Sequence, residues 1–284
     1  MAQRVKAIFY GDYGIGKTTV LASGVGDKRF DKGLLLNVEG GTLSIASRVH
    51  EISVKDVKEG KVSSTKGLDT VSIRDTKDLD TILTALYRFS DKGEFPWNSL
   101  MVDSLTEVNR LVLLQSMRDN YEKTGKGDSE VPQLQDYGRS NVRMNDLIRD
   151  FRDLDMNVFF TALSASVKDE LTGGIQMKPN FTGRLQDEIP AMVDIVGYLY
   201  IGKDGSRECR FQPSDRISAK DRSEGGRLGI TQKGITLPKF FDLLEFGHQE
   251  EAIPFASFNA PPQEEQTPEE FITLPEPPGR QARK

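Results

Sequence analysis

A chain of 284 residues with 37% apolar and 29% charged residues reads as a soluble α/β-sized protein with one substantial core. One cysteine and two histidines exclude an internal disulfide, a cysteine-rich zinc site and a histidine-built metal centre. The net charge of −5 lies entirely at the end: residues 245–284 hold eight acidic and three basic side chains, so residues 1–244 are neutral and remain compatible with an anionic partner.

The first element is an apolar run, VKAIFY (5–10), which predicts a buried strand. It runs directly into Gly11-Asp12-Tyr13-Gly14-Ile15-Gly16-Lys17-Thr18-Thr19, and a helix is expected to open at Lys17. The spacing Gly-x4-Gly-Lys-Thr between a strand and a helix is a P-loop. Its glycines let successive N–H groups turn inward around phosphate oxygens, its lysine reaches the β/γ-phosphates, and the Thr18 hydroxyl is placed to ligate Mg²⁺. A nucleoside triphosphate and Mg²⁺ are therefore the expected cofactors.

Further along, GLLLNV (33–38) predicts a second strand, ended by Glu39 and Gly40-Gly41. A carboxylate there suits a base for the water that attacks the γ-phosphate. TVSI (70–73) follows as a strand, then a helix over 79–89, and then SLMVD (99–103), whose Asp103 is positioned to hold Mg²⁺ through water. Helical spacing covers 105–120 and 142–154; strands are expected at NVFFTAL (157–163) and DIVGYLYI (194–201). RECRF (207–211) reads as an added antiparallel strand behind a turn at Lys203-Asp204-Gly205. Strands alternating with helices predict a mostly parallel twisted sheet flanked by helices. Two polar, glycine-bearing stretches, 121–138 and 164–183, are expected to be long functional loops. Seven of the thirteen prolines lie at or beyond Pro254, so the expected division is an ATPase domain over 1–246 and an acidic, proline-rich disordered tail over 247–284.

After the last strand, Lys220-Asp221-Arg222 carries two cations at alternating positions of an extended segment. The order of these parts resembles the ATPase core of RecA-type recombinases over about residues 3–244, most closely the short phage and prophage ATPases of single-strand annealing. The resemblance implies a RecA-like P-loop core whose nucleotide is ATP, with Glu39 activating water. It also implies that Lys220 and Arg222 reach the nucleotide of a neighbouring subunit in a ring or filament, with single-stranded DNA held by the two loops. The loop cations and aromatics are Lys123, Lys126, Tyr137 and Arg139 in or beside the first, and Lys168, Lys178, Phe181 and Arg184 in or beside the second.

Two departures from the family stand out. Leu163 occupies the place of a γ-phosphate-sensing glutamine or histidine, with Thr161 and Ser164 as its polar neighbours. The first strand also begins within ten residues of Met1, so annealing is expected rather than full strand exchange. The tail's Glu250–Phe255 stretch resembles the acidic tip of single-strand-binding proteins, which points to a replication protein as a further partner, or to competition with DNA for the core's cations. A cytoplasmic protein without a membrane span is expected. Two other readings stay open, a nucleotide-gated helicase loader or assembly factor, and a small-molecule P-loop kinase.

Overall fold

The computed structural model describes residues 4–30, 32–63, 67–125, 130–168 and 173–247. Seven parallel strands form its centre: β1 (Lys6–Gly11), β2 (Gly33–Asn37), β3 (Val49–Glu51), β4 (Leu68–Ser72), β5 (Ser99–Asp103), β6 (Asn157–Lys168) and β8 (Ile195–Ile201), in the order β8-β1-β6-β5-β2-β4-β3. β9 (Arg207–Arg210) and β11 (Thr231–Lys233) add antiparallel beyond β8. The short β10 (Lys220–Asp221) pairs with the start of β8, and β7 (Ile175–Pro179) pairs with the far end of β6. This is the α/β P-loop NTPase architecture, and the added antiparallel strand at 207 is where the sequence put it.

Side chains alternate across the central strands and so build two cores. Ile8, Tyr10, Leu34, Leu36, Leu100, Val102, Val158 and Phe160 face one side of the sheet. That side is covered by α2 (Val54–Glu59), α3 (Thr76–Lys92), α4 (Leu105–Thr124), α5 (Leu134–Asp153) and α6 (Leu185–Met192). Ala7, Phe9, Leu35, Met101 and Phe159 face the other side, under α1 (Lys17–Ala22) and α7 (Leu237–Phe246). Strands buried on both faces carry no polar alternation, which is why β1, β2 and β5 read as continuous apolar runs. On the α7 side, Phe240 stands 5.6 Å from Phe9 and 6.3 Å from Phe159, edge-on to both, so this helix locks the β1–β6 pair from behind.

Half of each stretch expected as a loop is regular structure. The first is the connection between α4 and α5: residues 121–124 finish α4 and residues 134–138 begin α5. Helix α5 starts eight residues before the apolar pattern because Gln133 and Asp136 form a reciprocal cap and the helix packs against α4. The second is a β-hairpin: β6 runs five residues past Leu163, its last pairing with β1 opposite Gly11, and β7 returns along it. The hairpin therefore rises from the sheet edge that bears the phosphate loop.

Candidate nucleotide site and its surroundings

Between the end of β1 and the start of α1 the chain turns through Gly14 at φ 71° and Gly16 at φ 98°, values that L side chains rarely adopt. Gly11 is fixed by proximity instead, since a Cβ there would lie 2.4 Å from the Leu199 carbonyl oxygen on β8. Ile15 is buried and anchors the loop, whereas Asp12, Tyr13 and Gly14 are exposed at its crest, Tyr13 at 89%. Lys17 is buried beneath them, and its Nζ donates to the carbonyls of Gly11 (3.1 Å) and Asp12 (2.9 Å). Burial lowers the Lys17 pKa, while Glu39, Asp103 and Asp12, in that order, oppose the shift. The charges of the three carboxylates thus favour the ammonium form.

Asp103 is held on both oxygens. Thr18 Oγ1 donates to Oδ2 at 2.5 Å and the fully buried Thr161 hydroxyl donates to Oδ1. β5 delivers the carboxylate to the sheet edge, and β6, inserted between β1 and β5, delivers the threonine that orients it. A hydroxyl beside a lone oriented carboxylate fits Mg²⁺, which takes one or two protein oxygens and completes its shell with phosphates and water. No cluster of three or more His, Cys, Asp or Glu side chains suited to a metal occurs among the described residues.

Glu39 is exposed, and its backbone N–H donates to the Asp103 carbonyl at 3.1 Å, so the two acids share one edge. The turn behind it is set by Asn37, whose Oδ1 accepts from the Gly40 N–H at 2.9 Å. Of the pair at the departure from the recombinase pattern, Thr161 positions Asp103 and the Ser164 hydroxyl donates to Asp12 Oδ1 of the phosphate loop. Two residues before Asp12, the Tyr10 hydroxyl lies 3.0 Å from the Met177 carbonyl on β7 and 2.5 Å from that of Ser218. The base of the hairpin is therefore bonded to the loop and to its strand.

Other predicted residues lie apart. Lys220 and Arg222 sit at the start of β8, the sheet edge opposite the phosphate loop, and do not meet the nucleotide site of their own chain. They do point the same way, both reaching the Ala191 carbonyl. Lys220 Nζ also donates to Pro190 (3.0 Å) and Val193 (2.5 Å), closing the C-terminus of α6, and burial, with Arg222 beside it, brings its pKa down to about 8. Around the hairpin, Lys168 and Arg184 are exposed, and Lys178 pairs with Asp187 at 2.6 Å. Phe181 is 7% exposed, packed in the core with Leu185 and Ile189, and has no face to offer a base. Between α4 and α5, Lys123 is exposed, Tyr137 is half-buried, and Arg139 donates to the buried Asn120 at 2.7 Å. Lys126 and the tail beyond Gly247 lie outside the described residues. No helix among the described residues is long and apolar enough to cross a membrane.

One cation at the site has no place in the sequence reading. Arg207, the first residue of β9, sets its guanidinium against Gly16. A pattern did exist to find it: period two puts Arg207 on the same face as the buried Cys209, which packs on the α1 side.

A profile of the family described as AAA domain matches residues 3–223. No curated protein sequence matches the chain. Among solved structures, the assembled ATPase EscN of the type III secretion system of enteropathogenic E. coli is similar over 69% of this chain and 43% of that one, at 17% identity and a TM-score of 0.39; at that likeness nothing is carried across. With a family match over more than half its length, and with the phosphate loop, the oriented aspartate and the central parallel sheet in place, the chain belongs to the AAA domain family and is a P-loop ATPase of that kind.

Proposed function

We propose that the chain hydrolyses ATP with Mg²⁺ in an oligomer on single-stranded DNA and promotes annealing, in recombination or replication of the phage type. Thr18 and Asp103 hold the metal, which neutralises phosphate charge when bound. Lys17 and the Gly11–Thr19 backbone hold the phosphates. Glu39 accepts a proton from the attacking water at an exposed edge that water reaches freely. Lys220 and Arg222, remote from their own loop, serve the nucleotide of the adjoining subunit. Lys220 would then exchange its bonds at the end of α6 for that contact.

The observation that carries the link to DNA is the bond from Ser164 to Asp12. A strand engaged by the hairpin, through Lys168 and Arg184, pulls on the loop that holds the phosphates. Residues 1–246 act as the ATPase domain, and 247–284 as an acidic tail that competes with DNA for the core's cations or recruits a single-strand-binding or replication protein. The test is binding of labelled single strands by the full chain with ATP and Mg²⁺, followed by annealing of complementary strands. Binding that needs ATP, and annealing without unwinding of a duplex, is the expected result. Directional unwinding would favour a helicase-like motor, and no DNA binding at low salt would remove the reading.

A further inference from the structure

Arg207 has the geometry of a ligand-binding cation that the described residues leave without a carboxylate. The acids nearest in sequence are spoken for: Asp204 pairs with Lys233 at 2.6 Å, and Glu208 accepts from the Tyr200 hydroxyl at 2.6 Å. No ion pair or side-chain hydrogen bond ties the Arg207 guanidinium to any described residue, and it instead lies over the phosphate loop. A Cβ added at Gly16 would stand 3.0 Å from Nη1 and 3.3 Å from Cζ. A side chain at Gly16, already disfavoured by its φ of 98°, would meet the guanidinium, whose five N–H donors stand beside the loop.

The charge balance points the same way. Asp12 lies in the loop and Glu39 and Asp103 share its edge of the sheet, so three carboxylates stand at a site with one buried cation, Lys17. A triphosphate brings about four more negative charges at neutral pH, so a second cation at the loop lowers the cost of binding it. Guanidinium presents its donors as a fork that matches paired phosphate oxygens.

We propose that Arg207 is a phosphate-binding residue of the same chain's nucleotide, delivered by the β8–β9 hairpin to the side of the loop where Gly16 lacks a side chain. The proposal rests on the reading of residues 11–18 as the phosphate site. It differs from the role given to Lys220 and Arg222 in that it needs no second subunit.

The test is calorimetric titration of the full chain with ATP and Mg²⁺, and competition of that binding by inorganic tripolyphosphate, for the wild type, Arg207→Ala, Arg207→Lys and Lys17→Ala. Thermal unfolding without nucleotide checks that each variant is folded, and Arg207→Lys serves if Arg207→Ala is not. Arg207→Ala is expected to weaken ATP and tripolyphosphate by a similar factor, on the order of 10-fold or more, with Arg207→Lys recovering part of the loss. Unchanged ATP affinity in folded Arg207→Ala, beside lost binding in Lys17→Ala, would overturn the proposal and leave the phosphate site standing. A loss for ATP with tripolyphosphate unaffected would also overturn it, since the contact would then be to the nucleoside. Intact ATP binding in Lys17→Ala would instead remove the phosphate-site reading, and the proposal with it.

Discussion

At the scale of single residues the site is a set of opposed charges whose roles separate by burial. Lys17 is buried and fixed, so Lys17→Ala removes the ammonium at the centre of the cradle. ATP binding measured by calorimetry should fall by at least about 100-fold. Glu39 is exposed and touches neither Thr18 nor Asp103 through its side chain, so Glu39→Gln should leave ATP affinity within a few-fold. Hydrolysis should slow by about 10²- to 10⁴-fold, the span of a lost general base; full turnover would remove the role. The placement of both was legible in the sequence, Lys17 from a motif with a mechanism and Glu39 from its position after an apolar strand. Thr161 was legible only as a neighbour, because its task depends on β6 lying beside β5, a pairing that no local pattern states.

At the scale of elements, what the sequence revealed depended on burial. Strands covered on both faces announced themselves; the second half of β6 and all of β7 did not, because the hairpin is mostly half-buried and its composition mixes polar and apolar residues. Helix α6 was hidden by Pro190, which sits within it. Phe181 shows the reverse error, an aromatic in a polar stretch that belongs to the core. Phe181→Ala should cost about 3–5 kcal/mol of stability, read from chemical denaturation, rather than act as a local loss of DNA contact. Lys220 gives α6 a pH-dependent end. Its folded pKa near 8 lies below the unfolded value of 10.5, so between those limits the unfolded chain holds a proton that the folded chain has released. The stability of the wild type relative to Lys220→Met should therefore rise as pH goes from 8 toward 10, and unfolding curves at three pH values would show it. A flat or falling difference would mean that the ammonium stays charged against the carbonyls of α6.

At the scale of the whole molecule, the phosphate loop and the β6–β7 hairpin share one edge of the sheet, and Lys220 and Arg222 occupy the other. Stacked head to tail, such molecules would bring one chain's cations to the next chain's nucleotide, with the hairpins on a common side. Mixing Arg222→Ala with Lys17→Ala should then restore part of the ATPase activity that each lacks alone, provided the two co-assemble, whereas additive inactivity in mixed oligomers would remove the trans role. The central claim, that one machine couples ATP to single-stranded DNA, is tested most directly by the ATPase rate of the full chain with and without single strands across a salt series. The account predicts a slow basal rate, stimulation by DNA, and loss of that stimulation as salt displaces phosphate contacts. An ATPase rate indifferent to DNA at every salt concentration would contradict it.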